Sequence, residues 1–231
     1  EEEIAKDGFW DDLDNSQIVL KKSKGLKSSV EKYKSLKDSL LSVFDYDIGE
    51  EDYEDENAAE IIIFCGVRFM GETAKVLSPE KKVLIPNPEA TCSLAESCKA
   101  EEFAKFKAQY PEALVVAYVN TTVGLKALTD ICCTSSNALQ VVESIPQDRQ
   151  IIFAPDRNLG SYIQKVTGRQ NMILWDGACH VHSQFSVEAL IELKKRYPDA
   201  AVLAHPECKG VILKLADIIG STAALLSYAQ K

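Results

Sequence analysis

Apolar positions in this chain follow one pattern up to about residue 57 and another after it. In the first part Leu26, Val30, Tyr33, Leu36, Leu40 and Phe44 recur at three- and four-residue steps with lysines on the other faces, the stripe of an amphipathic helix. The spacing predicts one long helix from about Asn15 to Phe44. Asp14, Asn15 and Ser16 can each serve as its N-cap, and the negative charge at residues 11–14 suits the positive end of the helix dipole. In the second part short apolar runs alternate with amphipathic stretches. Ile61 to Phe64, Val83 to Ile85, Leu114 to Tyr118 and Ile131 to Cys133 read as strands, as do Ile151 to Phe153, Met172 to Trp175, Ala201 to Ala204 and Ile218-Ile219. Phe69 to Leu77, Glu101 to Gln109, Val123 to Leu128 and Ser136 to Glu143 read as helices between them. Such alternation predicts an α/β fold of short parallel sheets covered on both faces, which bind ligands at the carboxyl ends of their strands.

The second part is also written twice. Laying Cys92 on Cys179 matches Tyr110-Pro111 with Tyr197-Pro198, Val115 with Val202, Leu128 with Leu215 and Asp130-Ile131 with Asp217-Ile218 at a constant offset of 87 residues. Upstream the register shifts by two, placing Arg68 on Arg157 and Gly71 on Gly160. A repeat of this kind marks a duplicated structural unit. It divides the chain into an acidic helical leader and linker (1–57), a first αβα repeat (58–145) and a second (146–231), two homologous three-layer units. Residues able to do chemistry sit at the predicted strand ends: Cys92 and Cys179, Tyr118-Val119-Asn120, His205-Pro206-Glu207, Ser135 and Thr222. Two matched cysteines facing each other across a pseudo-symmetry axis could hold one shared cofactor, although a buried structural thiol is the commoner fate of free cysteine. Ser135 and Thr222, again 87 residues apart, stand at predicted helix starts, where a hydroxyl can cap the helix or meet a carboxylate or phosphate.

Composition narrows the function classes. The chain has 231 residues, 46% of them hydrophobic, enough for a sizeable core. No apolar run approaches the roughly 18 residues of a membrane span, and the acidic start lacks the features of a secretory signal. A cytoplasmic protein without membrane contact is expected. Residues 1–57 hold 17 Asp/Glu against 8 Lys, which accounts for the net charge of −9 and leaves the repeats neutral. That distribution argues against nucleic-acid binding through a basic face. The acidic run at residues 49–56 reads as a solvated linker. Seven widely spaced cysteines read as reduced thiols or metal ligands.

The motifs Phe64-Cys-Gly-Val-Arg-Phe-Met70, Pro88-Glu-Ala-Thr-Cys-Ser-Leu-Ala95, Tyr118-Val-Asn120, Cys133-Thr-Ser-Ser-Asn137, Phe153-Ala-Pro-Asp-Arg-Asn-Leu-Gly160, Gly177-Ala-Cys-His-Val-His182 and Ala204-His-Pro-Glu-Cys208 together resemble quinolinate synthase. The match runs from about Ala59 to Tyr228. The resemblance implies an enzyme of NAD biosynthesis that condenses iminoaspartate with dihydroxyacetone phosphate, with the protein supplying iminoaspartate as a possible partner. It also implies three αβα domains about a pseudo-threefold axis sharing one [4Fe-4S] cluster, of which this chain carries two. On that pattern Cys92 and Cys179 are two of three cluster ligands. Tyr118, Val119, Asn120, Ser135, His205, Pro206, Glu207 and Thr222 contact substrate, and Tyr118, His205 and Glu207 are catalytic. For His205 the plain alternative is a satisfied histidine at a strand end. His182, three residues after Cys179, suits either metal or a hydrogen bond beside the cluster. His180 reads as structural.

The sequence departs from that family at both ends. The family's His- and Tyr-rich opening and its closing stretch with a Thr-Glu pair and the third cysteine have no visible counterpart, so weak or absent turnover is expected of this chain. Two further readings stay open at this level: a non-catalytic two-lobed α/β fusion or recombinant protein, and a zinc site of thiolate and imidazole. In the leader, Gly8-Phe-Trp-Asp-Asp12 with Gln17, Leu26-Lys27, Val30-Glu31 and Tyr33 resembles the N-terminal helical domain of the bacterial peptide-chain release factor of the second type. None of that family's functional motifs accompanies it.

Overall fold

The structure, a computed structural model, describes residues 13–47 and 60–230. It opens with one long helix, α1 (Leu13–Asp47), close to the bounds that the apolar spacing predicts. The stripe itself is only partly packed. Leu26 and Val30 are exposed (68% and 52%). The side chains of Tyr33, Leu36, Leu40 and Phe44 lie outside the described residues, as does the acidic linker, and the expected caps are corrected: the backbone of Asp14, Asn15 and Ser16 is already inside α1, which begins at Leu13. The backbone of α1 runs past β4 and α2, both defined below.

The rest alternates strand and helix: β1 (Ile61–Ile63), α2 (Arg68–Leu77), β2 (Lys82–Leu84), α3 (Ser93–Glu96), α4 (Ala100–Lys107), β3 (Leu114–Tyr118), α5 (Val123–Lys126), β4 (Ile131–Cys133) and α6 (Ala138–Ser144). The second copy follows with β5 (Ile151–Ala154), α7 (Arg157–Thr167), β6 (Met172–Leu174), α8 (His180–Ser183), α9 (Val187–Arg196), β7 (Leu203–Ala204), α10 (Gly210–Leu213), β8 (Ile218–Ile219) and α11 (Thr222–Ala229). All eight expected strands are present and all pairings are parallel. The fold is α/β.

The sheets do not follow the repeat boundary. One four-stranded sheet has the order β4-β3-β5-β6, taking two strands from each sequence repeat, while β1-β2 and β7-β8 form two-stranded sheets. The expected picture of one sheet unit in 58–145 and another in 146–231 is therefore corrected: the complete unit straddles residue 145. The cause lies in burial. Along β3 and β5 successive side chains enter opposite cores, Val116, Tyr118, Ile151 and Phe153 on one face and Val115, Ala117, Ile152 and Ala154 on the other. Pairing β3 with β5 buries both runs at once, in the register Leu114 to Ile151 through Ala117 to Ala154.

The duplication is visible as repeated hydrogen bonding. Asp130 Oδ2 accepts the Val115 N–H at 2.9 Å and Asp217 Oδ2 accepts the Val202 N–H at 2.8 Å. Lys107 Nζ donates to Leu128 O at 2.8 Å and Lys194 Nζ to Leu215 O at 3.2 Å. Each aspartate aligns the start of one strand beside the start of the next, and each lysine ties a helix to that junction. Glycine is required at matched places too. A Cβ on Gly71 would sit 2.7 Å from Ile85, and one on Gly160 would sit 2.7 Å from Leu174, so α2 and α7 press on the strands beside them only because both residues lack a side chain.

Candidate active site and thiolate centre

In the central sheet the chain moves one way from β3 to β4 and the other way from β5 to β6, so the order reverses between β3 and β5. The crevice beyond the carboxyl ends of two such strands is where doubly wound sheets hold ligands. Tyr118 ends β3, and Pro155-Asp156 follows β5.

Asp156 is fully buried and its two oxygens divide their work. Oδ1 accepts the Leu159 N–H at 2.8 Å, capping α7, and Oδ2 accepts the Cys179 N–H at 2.8 Å. Two residues on, Asn158 Nδ2 donates to Glu207 O at 2.9 Å. The first turn of α7 thus fixes both the Cys179 loop and the His205-Pro206-Glu207 loop. Burial, the largest influence, lifts the Asp156 carboxyl from 3.8 to about 6, opposed by the N–H bonds of Leu159 and Cys179.

Cys92 and Cys179 occupy equivalent places, each the N-cap of a one-turn helix, α3 and α8. Both are half-buried and pack against the same apolar cluster, which includes Leu94, Tyr118 and Leu159. Their loops are tied together. Trp175 Nε1 donates to Ser97 O at 3.1 Å, joining the end of α3 to the segment before Cys179. Gly177 lies so close that a Cβ there would fall 2.4 Å from Pro155 O and 2.6 Å from Ser97 Oγ. Burial raises the Cys179 thiol above its ordinary value, with the neighbouring N–H groups of His182 and Val181 pulling the other way. The remaining cysteines differ in setting. Cys98 and Cys132 are buried and desolvation pushes them up to about 12 and about 11, burial also raises Cys133 well above the ordinary thiol value, Cys208 is buried beside Cys179, and Cys65 is exposed.

The polar shell gathers around Glu207, whose side chain is 5% exposed. His205 Nδ1 lies 3.1 Å from Glu207 Oε2, and His182 Nδ1 lies 3.6 Å from the same oxygen. The two imidazoles stack with centroids 5.2 Å apart. Desolvation lowers the His182 pKa, and the nearby His205 lowers it further against the pull of Glu207. The Tyr118 phenol is raised well above 10.0, first by burial and then by Glu207, Cys133 and Asp156, with a Ser135 hydrogen bond as partial relief. It is a neutral hydrogen-bond donor at any physiological pH.

Tyr118, Ser135, Cys179, His205 and Glu207 are thus brought together, with Cys92 on the adjoining cluster. Asn120 is half-buried and Val119 N donates to Cys133 O at 2.8 Å, placing both at the same strand ends. Pro206 is buried between His205 and Glu207. The expectation of hydroxyl caps is corrected in detail. Ser221, not Thr222, caps α11, Thr222 is exposed, and the residue before α6 is Asn137, whose Oδ1 accepts the Thr134 N–H at 2.7 Å. His180 is exposed and pairs with Gln184 at 2.7 Å.

Sequence reading missed Asp156, Asn158 and Lys126. Asp156 carries a visible cap signal, an aspartate directly before a helix. Its second bond, 23 residues away, has no local trace. Lys126 is fully buried, its Nζ donating to Val119 O at 2.8 Å and to Thr121 O, with the Phe69 ring 5.4 Å away. It fastens the loop that carries Asn120. Desolvation lowers its pKa from 10.5 to about 8, partly offset by Cys132 and Glu72. Between those values the unfolded chain binds more protons, so this group adds stability as pH rises from about 8 towards 10.5. Lys126→Met is expected to cost about 1–3 kcal/mol near neutral pH, because Thr121 O loses the ammonium as its donor while Val119 O keeps the Thr121 N–H. Urea unfolding at pH values across that window would also show the alkaline gain missing from the variant.

The fold is that of an α/β protein with parallel sheets, and its strand ends gather thiols, imidazoles and a buried carboxylate, among them Cys179, His182 and Glu207, a donor set able to hold a metal ion. A family model for the Quinolinate synthetase A protein matches residues 52–231, and the chain belongs to that family. It is 59% identical over 171 residues to the quinolinate synthase of Chloroherpeton thalassium, covering 74% of this chain and 53% of that protein. It is 57% identical over 173 residues to that of Synechocystis sp. and 56% over 173 residues to that of Rippkaea orientalis, with 75% of this chain and 54% and 53% of those proteins covered. The chain spans about half the length of the curated relatives it matches. Among the described residues no helix is long and apolar enough to cross a membrane.

Proposed function

We propose that this chain carries part of a quinolinate synthase centre, condensing iminoaspartate with dihydroxyacetone phosphate in NAD biosynthesis, in the cytoplasm, with the protein that supplies iminoaspartate as its partner. The observation that carries this reading is the convergence of Tyr118, Ser135, Cys179, His205 and Glu207 at neighbouring strand ends around Asp156. The likeness of the leader to a release-factor helix brings no activity with it.

The thiols fit the family's [4Fe-4S] cluster as far as they go. Cys92 and Cys179 are half-buried, equivalent in backbone setting, and joined through the Trp175–Ser97 bond, so they would supply two of its three thiolates. When bound, such a cluster supplies a Lewis acid through the iron that has no protein ligand. The chain's own groups do the rest. The neutral Tyr118 phenol donates a hydrogen bond to a substrate carboxylate or imine, and Asn120 and Ser135 orient it. Val119, Pro206 and Thr222 complete the expected substrate contacts. Glu207, with Oε2 3.1 Å from His205 Nδ1, accepts or returns a proton within the crevice.

Anaerobic reconstitution with iron and sulfide tests this directly. The expected result is a broad visible absorbance with bound iron that falls about tenfold or more in either Cys92→Ser or Cys179→Ser, judged by what even indirect partners of metal ligands are worth. Iron retained by both variants would overturn the assignment. Turnover of the two substrates to quinolinate is expected to be lost in Glu207→Gln.

A further inference from the structure

The two flanking sheets display the halves of a packing arrangement that the central sheet completes. Among the described residues β1 pairs only with β2, and β7 only with β8, whereas their counterparts in the repeat, β5 and β3, pair with each other. In the centre that pairing buries Ile152 completely, with Ile173 beside it, in a cluster with Phe103, Phe106 and Val115. In the shifted upstream register Ile152 and Ile173 correspond to Ile63 and Leu84, neighbours across β1 and β2, which are 66% and 41% exposed. At the 87-residue offset Phe103, Phe106 and Val115 correspond to Leu190, Leu193 and Val202, which line an open apolar groove of about 400 Å³ beside β7. Leu193 is 51% exposed there. One flank carries the apolar side chains, and the other carries the groove in which their equivalents sit at the centre.

We propose that this chain associates with a second copy of itself, head to tail. Strand β1 of one copy pairs in parallel with β7 of the next, so that a four-stranded sheet of order β8-β7-β1-β2 forms between them. The register follows from the central sheet, where Val115 stands beside Ile152 and Ala117 beside Ala154. By equivalence Val202 of one copy lies beside Ile63 of the other, and Ala204 beside Cys65, which is exposed in the single chain. Edge strands offer backbone groups that a further strand can pair with, and alternate side chains then enter pockets on the accepting surface. A second copy is the occupant because it already carries the side chains, in the spacing, that the groove accepts. Charge does not oppose it: the net charge of −9 resides in residues 1–57 and leaves both surfaces in the neutral part of the chain. The two surfaces differ, so the contact is heterologous, and association continues past two copies unless the rotation closes a ring. The contact requires neither a cluster nor turnover and stands apart from the quinolinate synthase reading.

Sedimentation velocity of the full chain under reducing conditions tests this. The expected result is a mass that rises with protein concentration. Ile63→Glu and Leu193→Glu are each expected to weaken association by more than about tenfold, since burying one aliphatic side chain is worth at least that factor. Both positions are exposed in the single chain, so its fold does not need them, and circular dichroism with thermal unfolding at low concentration checks that each variant is folded. Mixing the two variants gives the deciding signature. Ile63→Glu keeps the groove and Leu193→Glu keeps the β1–β2 face, so the mixture is expected to form one-to-one pairs and stop at two chains. A wild-type chain that stays monomeric at every concentration, whether its groove is open or filled from within the same molecule, would overturn the proposal. So would association that survives both substitutions, or a mixture of the two variants that does not pair.

Discussion

Arg169→Met is expected to lower the free energy of unfolding by about 3 kcal/mol, a loss of roughly 6–12 °C in the thermal midpoint for a domain of this size. Arg169 is 1% exposed and lies just past α7. Its guanidinium donates to Val142 O at 3.1 Å, Ile145 O at 2.9 Å, Arg149 O at 2.5 Å and Pro146 O, while Nε donates to Asn171 Oδ1 at 3.0 Å. These carbonyls end α6 and line the connection that crosses from the first sequence repeat into the second. Several keep a second donor after the substitution, which limits the cost. Ile145 O, by contrast, has Arg169 as its only donor among the described hydrogen bonds. Lysine does not rescue, since one ammonium cannot span the fork of acceptors that a planar guanidinium meets. Differential scanning calorimetry of Arg169→Met and Arg169→Lys against wild type measures both effects. A midpoint unchanged in the methionine variant would show that the connection is held by other means.

Asp156→Asn is expected to cost about 1–3 kcal/mol and to disturb the loop that carries Cys179 as well. An amide oxygen can still accept from Leu159, but its NH₂ group then faces the Cys179 N–H, donor against donor. The variant should lose metal or cluster loading at Cys179 although no ligand has been changed. There is a pH signature too. The carboxyl sits at about 6 in the folded protein against 3.8 ordinarily, chiefly through burial, with Glu207 adding to the rise. Between these values the folded state holds more protons than the unfolded one. This group's contribution to stability therefore falls as pH rises from about 4 to about 6, by at most about 3 kcal/mol. Denaturant unfolding across that window should show a decline in wild type that Asp156→Asn lacks. An identical slope in both proteins would assign it to other groups.

Much of this architecture was legible from residue pattern. Runs such as Leu114 to Tyr118 and Ile131 to Cys133 are strands to the residue, because strands buried on both faces leave unbroken apolar runs. The matched cysteines were legible as well, since the duplication keeps them in equivalent settings. The phase of the sheets was not. Whether β3 pairs with β5 or stays with its own repeat depends on burial between segments more than thirty residues apart, and no local periodicity records it. The one-turn helices α3 and α8 are four residues each, too short to show a helical period. Lys126 escaped for a different reason. A lysine in an amphipathic stretch reads as solvated, and only the three-dimensional fold shows carbonyls converging on its ammonium.

The straddling sheet separates two units that are easily taken for one. The sequence repeat runs from one cysteine-bearing segment to the next, whereas the four-stranded sheet is built from β3 to β6, half a period out of step. A cut at the seam between copies would split the one four-stranded sheet among the described residues down its midline. The copies relate to the folding unit as a circular permutation relates to its parent, and tandem copying of such a segment leaves a half-sheet at either flank.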